Sequence, residues 1–253
     1  MAHDHASPSR NWFDQGGAAY AHFRPEYPDA LARWLAAESP APALAVDVGC
    51  GNGQLTLQLA RHFDRVLGLD PSAEQLAHAT AHPRVVYAQA SAEQLPAEDG
   101  SASLVTAAQA AHWFDLPRFY AEVRRIGKPG AGLALISYGV LRLDGPLDQR
   151  FQQFYASEIG PYWPAQRTLV DSGYASLPFP FDEKQAPALE IRKHWQLSEL
   201  LGYIGTWSAV RSAREAGHEA LLQRFATDLA ELWGDPAQRR QVCWPLHMRW
   251  GTL

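Results

Sequence analysis

The chain has 253 residues, 47% of them hydrophobic and 19% charged, with a net charge of -5. That length fits one large α/β domain with insertions, and the composition belongs to a globular chain. An acidic balance gives no global field for nucleic acid, two cysteines make no disulfide framework, no apolar stretch reaches the ~20 residues a bilayer demands, and MAHDHASPSR lacks the apolar run of a secretory signal.

Residues 1–10 read as a disordered tail, with His3 and His5 in a frayed terminus rather than a metal arm. Residues 11–28 are aromatic-rich, and a helical turn or two there breaks before Pro25. Ala30, Leu31, Trp34 and Leu35 have helical spacing; Asp29 is placed to cap that helix, and Pro40 and Pro42 to end it. LAVDV (44–48) is a short apolar strand running into glycines, followed by an amphipathic helix over 54–63. RVLGLD (65–70) is a second strand, Ser72 caps a helix to about Ala81, and RVVYAQA (84–90) and SLVTAAQA (103–110) are the third and fourth strands. Leu116 opens a helix whose Phe119, Tyr120, Val123 and Ile126 face a sheet, and the turn KPGAG (128–132) leads into LALISY (133–138). Strands alternating with helices predict right-handed βαβ units and a parallel sheet. The rhythm then changes: 139–186, with PYWP (161–164) and LPFPF (177–181), reads as an inserted, partly helical cap. A strand at 188–195, helices over 197–233 and a last strand at 242–250 complete the chain.

The segment VDVGCGNGQ (46–54) is the most informative. A strand delivers Asp47, then Gly49, Gly51 and Gly53, and a helix starts at once. Glycines let backbone approach a ligand, a helix start offers free N–H groups, and Asp70 at the next strand's end can accept ribose hydroxyls. A dinucleotide fingerprint places its last small residue where this chain has Gln54. With the third glycine one position early and Asp47 before it, the spacing resembles the first motif of class I S-adenosyl-L-methionine (SAM) methyltransferases. The resemblance implies a Rossmann-like α/β fold: a mostly parallel, seven-stranded sheet of order 3-2-1-4-5-7-6, with helices on both faces. It further implies SAM as cofactor and S-adenosyl-L-homocysteine as product.

ASAEQLP (90–96) resembles the segment that borders the adenine, QAAHWFD (109–115) the one beside the sulfonium, and KPG (128–130) the family turn before strand five. YAHFRPEYP (20–28), PYWPAQR (161–167) and GYIGTWSAV (202–210) extend the likeness to the methyltransferase type 11 group that contains trans-aconitate methyltransferases. Residue by residue, the resemblance puts Asp47, Gly49, Cys50 and Gly51 at the methionine end, with Cys50 a small filler. It puts Asp70 and Pro71 at the ribose, and Ser91, Ala92 and Glu93 at the adenine. Ser91 stands where the family usually has Asp, so either its hydroxyl or the Ala92 backbone meets the base. Gln109 offers its carbonyl to the ammonium group, and the segment carrying Tyr20 and Arg24 folds over the cofactor, Tyr20 as a cover or only as a packing residue, Arg24 toward the cofactor's carboxylate or simply at the surface. His112 is either a general base or a hydrogen-bonding residue that shapes the pocket. Trp113 is a pocket wall or core, Tyr162, Trp163 and Trp207 are candidates for the acceptor lining, the tryptophans otherwise core, and Arg150 and Arg167 either receive an acidic acceptor or are solvated.

The domain reading is a 1–10 tail and one SAM-dependent methyltransferase domain over 11–253, with an N-terminal cap at 11–40 and a substrate cap at about 139–186. The expected enzyme is cytoplasmic, a monomer or homodimer. It acts on a small molecule, carboxylic acids among the acceptors, with no nucleic acid, membrane or metal partner. Two other readings share the glycine motif: an NAD-linked oxidoreductase, which Gln54 and the missing Tyr-x-x-x-Lys set oppose, and a non-catalytic SAM-binding module. RNA methylation is disfavoured by the acidic balance.

Overall fold

The computed structural model describes residues 25–253. The described chain forms two compact units. The larger consists of Glu26–Leu141, Gln166–Ile191 and Trp244–Leu253; the smaller contains Arg142–Ala165 and Arg192–Cys243.

In the larger unit α1 (Asp29–Glu38) precedes β1 (Leu44–Val48), α2 (Gln54–Leu59), β2 (Arg65–Asp70), α3 (Ala73–Ala77), β3 (Val85–Gln89) and β4 (Ala102–Ala108). A 3₁₀ turn (Ala111–Trp113), α4 (Leu116–Ile126), β5 (Gly127–Tyr138), α6 (Arg167–Asp171) and β6 (Asp182–Lys184) follow. The smaller unit contains α5 (Gly145–Gln153), α7 (Leu197–Gly205), α8 (Ser208–Glu215) and α9 (Glu219–Trp233). The strands β7 (Leu189–Trp195) and β8 (Arg240–Thr252) run through both units.

Strands β1 to β5 pair in parallel in the order β3-β2-β1-β4-β5, and β8 lies antiparallel to β5. The central strands are buried almost throughout, which is why they read as continuous apolar runs. Helix α4 buries Leu116, Phe119, Tyr120, Val123 and Ile126 as their spacing predicts, and Asp115 caps it by accepting from Arg118 N at 3.5 Å.

The sheet has eight strands, not seven, in the order β3-β2-β1-β4-β5-β8-β6, with β7 also on β8. The added strand, β6, comes from the stretch read as cap. Tyr120 Oη donates to Pro178 O and Arg124 Nη2 to Pro180 O, both at 2.6 Å. Arg249 of β8 donates to Glu183 through Nε and Nη2, at 2.8 and 2.6 Å. These bonds lay LPFPF along α4 and bring Asp182–Lys184 against β8.

Four local expectations are corrected. Pro28, not Asp29, occupies the N-cap of α1; Asp29 is its first residue, where a carboxylate favours the helix dipole without capping. Helix α2 stops at Leu59 because Asp64 N must reach Pro42 O to start β2. Helix α3 stops at Ala77, having no buried residue to hold a longer run. KPGAG lies within β5 rather than ahead of it, as a bulge opposite Ala102 and Leu104 with Gly130 at a φ of 76°.

The smaller unit packs Phe151, Phe154, Leu197, Leu200, Leu201, Ile204, Leu222, Phe225, Leu229 and Trp233 into its interior. The rings of Phe154 and Phe225 stack with centroids 3.7 Å apart. Arg150 binds Glu158 at 2.9 and 3.1 Å and Asp228 at 2.9 Å, so it is neither solvated nor open to an acidic acceptor.

Candidate active site

The chain turns from β1 into α2 through Gly49, Gly51 and Gly53, all with positive φ. Their neighbours explain two of them differently. A Cβ on Gly53 would stand 2.2 Å from the Tyr87 hydroxyl, so this glycine makes room for the protein's own ring. A Cβ on Gly51 would meet nothing closer than Gln75 Oε1 at 3.7 Å. Backbone at Gly51 therefore borders open space, as a ligand cradle requires.

Strand β2 fastens this turn. Gly49 N and Cys50 N both donate to Leu69 O, at 2.7 and 2.9 Å. Asp70 accepts from Gly51 N at 2.8 Å through one oxygen and from Ser72 N at 2.9 Å through the other. Its carboxylate is thus aimed at the turn and holds it. Each oxygen still has lone-pair capacity for a hydroxyl. Pro71 beside it is exposed.

Asp47 sits behind the turn. It is buried and accepts from Thr56 Oγ1 at 2.6 Å and Thr106 Oγ1 at 2.7 Å, tying β1 to α2 and β4. Burial pushes its pKa up to about 6 despite those two bonds. Burial also raises the Cys50 thiol well above its usual range, with the Asp47 and Asp70 charges adding to the effect. A thiol so disfavoured as thiolate is filler and not a nucleophile.

On the neighbouring strand's flank Ser91 is exposed and Ala92 buried, and Glu93 accepts from Asp115 N at 3.0 Å. Ser91 lines an open hollow of about 500 Å³ with Gln89, Gln94 and Leu95. At the end of β4, Gln109 has φ of 57°, a left-handed backbone rare outside glycine; Gln109 N donates to Ile136 O at 2.8 Å. The next turn carries His112, whose Nδ1 lies 3.0 Å from the Tyr174 hydroxyl. Burial, and then the positive charge of Arg167, push His112 down to about 4, so the ring is neutral at pH 7. Arg167 itself pairs with Asp171 at 2.8 Å. Trp113 is 66% exposed, which removes the core alternative for it.

The described structure brings together Gly49, Cys50, Gly51 and Asp70, with Asp47 behind them. Tyr162, Trp163 and Trp207 belong to the smaller unit. There Trp163 and Trp207 pack 5.2 Å apart among Tyr155 and Tyr203, and Tyr162 lies 5.5 Å from His218. Tyr20 and Arg24 lie outside the described residues. Sequence reading missed Tyr87, Tyr174 and the two threonines that hold Asp47. An aromatic in register with Gly68 of β2 was a usable signal for Tyr87; nothing local marks Tyr174, 62 residues from His112. Among the described residues no three His, Cys, Asp or Glu gather as a metal site, and no helix is long and apolar enough to cross a membrane.

A parallel sheet of this order, closed by one antiparallel strand and carrying a glycine turn pinned by an acid at the tip of β2, defines the class I methyltransferase fold. Residues 46–135 match a family described as "Methyltransferase domain" (Methyltransf_11). A protein named as a methyltransferase in Dictyostelium discoideum is 31% identical over 219 residues, spanning 85% of this chain and 83% of that protein. A solved structure titled as a type II methyltransferase from Anaeromyxobacter dehalogenans is 45% identical, covers 90% of this chain and 97% of its own, and superposes with a TM-score of 0.86. An uncharacterized methyltransferase of Mycobacterium tuberculosis is 38% identical over 126 residues, about half of each chain. The chain belongs to the class I SAM-dependent methyltransferase family and is a methyltransferase.

Proposed function

We propose that this enzyme binds SAM at the Gly49–Gly51 turn and transfers its methyl group to a small molecule, with carboxylates among the acceptors. The observation that carries the reading is the open space over Gly51, whose amide is held in place by the buried Asp70 carboxylate. SAM, when bound, supplies an electrophilic methyl on a sulfonium; the chain's residues do the holding. Gly49, Cys50 and Gly51 border the amino-acid end, and the Gln109 carbonyl meets the ammonium. Asp70 and Pro71 take the ribose, and Ser91, Ala92 and Glu93 the adenine. His112 and Trp113 stand toward the acceptor. The net charge of -5 favours a small acceptor over a polynucleotide, for which it supplies no attraction.

Such transfer works mainly by alignment and water exclusion. A low basicity at His112 supports the pocket-shaping alternative over general-base catalysis, because a base that weak removes little proton from an alcohol or amine. Calorimetry with S-adenosylhomocysteine, followed by methyl transfer to an acceptor panel spanning acids, phenols and amines, tests the reading. Binding in the micromolar range and methyl ester formation are expected. No binding by a chain with intact circular dichroism refutes it.

A further inference from the structure

Tyr174 is held in a conformation that its side chain disfavours. Its φ is 63°, in the left-handed region, and the ring is fully buried. Bulky residues keep such backbone only where the surroundings over-determine it, and such strain gathers at functional sites. The surroundings do so here. Tyr174 N donates to Leu169 O at 2.8 Å, and its carbonyl accepts from Arg249 at 3.3 Å. Arg249 also bonds Leu177 O and both carboxylate oxygens of Glu183. All of this restraint delivers one phenol to one imidazole, the two rings stacked with centroids 6.0 Å apart and the polar atoms 3.0 Å apart.

The direction of that hydrogen bond follows from burial. Among the described residues, His112 Nδ1 is the one polar atom given to the Tyr174 hydroxyl. If Nδ1 carried the proton, the phenol hydrogen would be left buried without an acceptor and would pay its full desolvation penalty. If the phenol donates, its hydrogen is satisfied and only an oxygen lone pair is spare. The other ring nitrogen, Nε2, then carries the ring's hydrogen.

We propose that Tyr174 is a positioning residue whose hydroxyl donates to His112 Nδ1 and holds the imidazole as the Nε2–H tautomer, so that His112 donates a hydrogen bond to a methyl acceptor that arrives unprotonated, of the carboxylate class. This rests on the methyl-transfer reading above. One carboxylate oxygen forms the bond to the methyl carbon as the carbon–sulfur bond breaks and its electron pair stays on sulfur. No proton has to leave, so no base is needed. Arg167, paired with Asp171, opposes a second positive charge on the ring, and the phenol must turn round before Nδ1 can be protonated.

The test is a two-bond proton–nitrogen correlation spectrum of the full chain labelled with ¹⁵N-histidine, His112 being assigned by its loss in His112→Gln. At pH 7 the wild type shows Nδ1 bare and Nε2 protonated; Tyr174→Phe shows a tautomer mixture and a raised His112 titration midpoint. A protonated Nδ1 in the wild type overturns the proposal, even if Tyr174→Phe fails to fold. In turnover, His112→Gln keeps an N–H donor and retains kcat within about tenfold, while His112→Ala raises KM for a carboxylate acceptor by tenfold or more. Equal inactivity of both variants, with a rate that climbs through a neutral ionisation in the wild type, restores the base. Failure of the wild type to bind S-adenosylhomocysteine defeats the methyl-transfer reading alone, since the tautomer is read without cofactor.

Discussion

Asp70→Asn isolates the fastening of the glycine turn. The wild-type carboxylate accepts from Gly51 N at 2.8 Å and Ser72 N at 2.9 Å, and it is 8% exposed. Asparagine matches it in shape but offers one oxygen; its NH₂ group faces the remaining amide, donor against donor. A hydrogen bond to a charged group contributes about 1.5–3 kcal/mol. The variant therefore loses about 2 kcal/mol of stability, which for a chain of this size lowers Tm by roughly 4–8 °C. Because Gly51 N is freed at the rim of the proposed cradle, affinity for S-adenosylhomocysteine falls at least tenfold, about 1.4 kcal/mol. A ribose contact by the same carboxylate adds to the affinity loss without adding to the stability loss. Urea unfolding followed by circular dichroism, with calorimetry on the same samples, reads the two separately. If stability and affinity are both unchanged, the role assigned to Asp70 is wrong in each respect.

Gly53→Ala drives a Cβ to 2.2 Å from Tyr87 Oη at a φ of 87°, and is expected to cost about 2–4 kcal/mol of stability. Gly51→Ala meets open space and costs only the roughly 1–2 kcal/mol of left-handed strain, with a larger proportional loss of cofactor affinity; equal stability losses for the pair would contradict the packing described. Asp47 has a folded pKa raised above its unfolded value, so the folded state binds the extra proton and stability falls as pH rises from about 4 through about 6. Asp47→Asn flattens that slope in unfolding titrations, and an unaltered slope assigns it to other groups. Cys50 alkylates with iodoacetamide at least tenfold more slowly than a free cysteine at pH 8, as peptide mapping would show; rapid modification refutes the burial argument.

What the residues themselves determined is mostly periodic or local. The apolar runs of β1 and β4 and the spacing of Phe119, Tyr120, Val123 and Ile126 specify a buried parallel sheet covered by a helix, because burial on both faces leaves no alternation to misread. The offsets from Asp47 through Gly53 to Asp70 specify a turn beside an acid. Partners brought together from distant positions leave no such mark. Only the folded chain shows that Gly53 makes room for Tyr87 while Gly51 borders open space, since both glycines are identical as letters. Only it commits Arg150 to Glu158 and Asp228, turns part of the expected cap into strand β6, and sets Tyr174 against His112. Those outcomes depend on which side chains reach one another across loops of dozens of residues, and that is decided by packing, not by sequence neighbours.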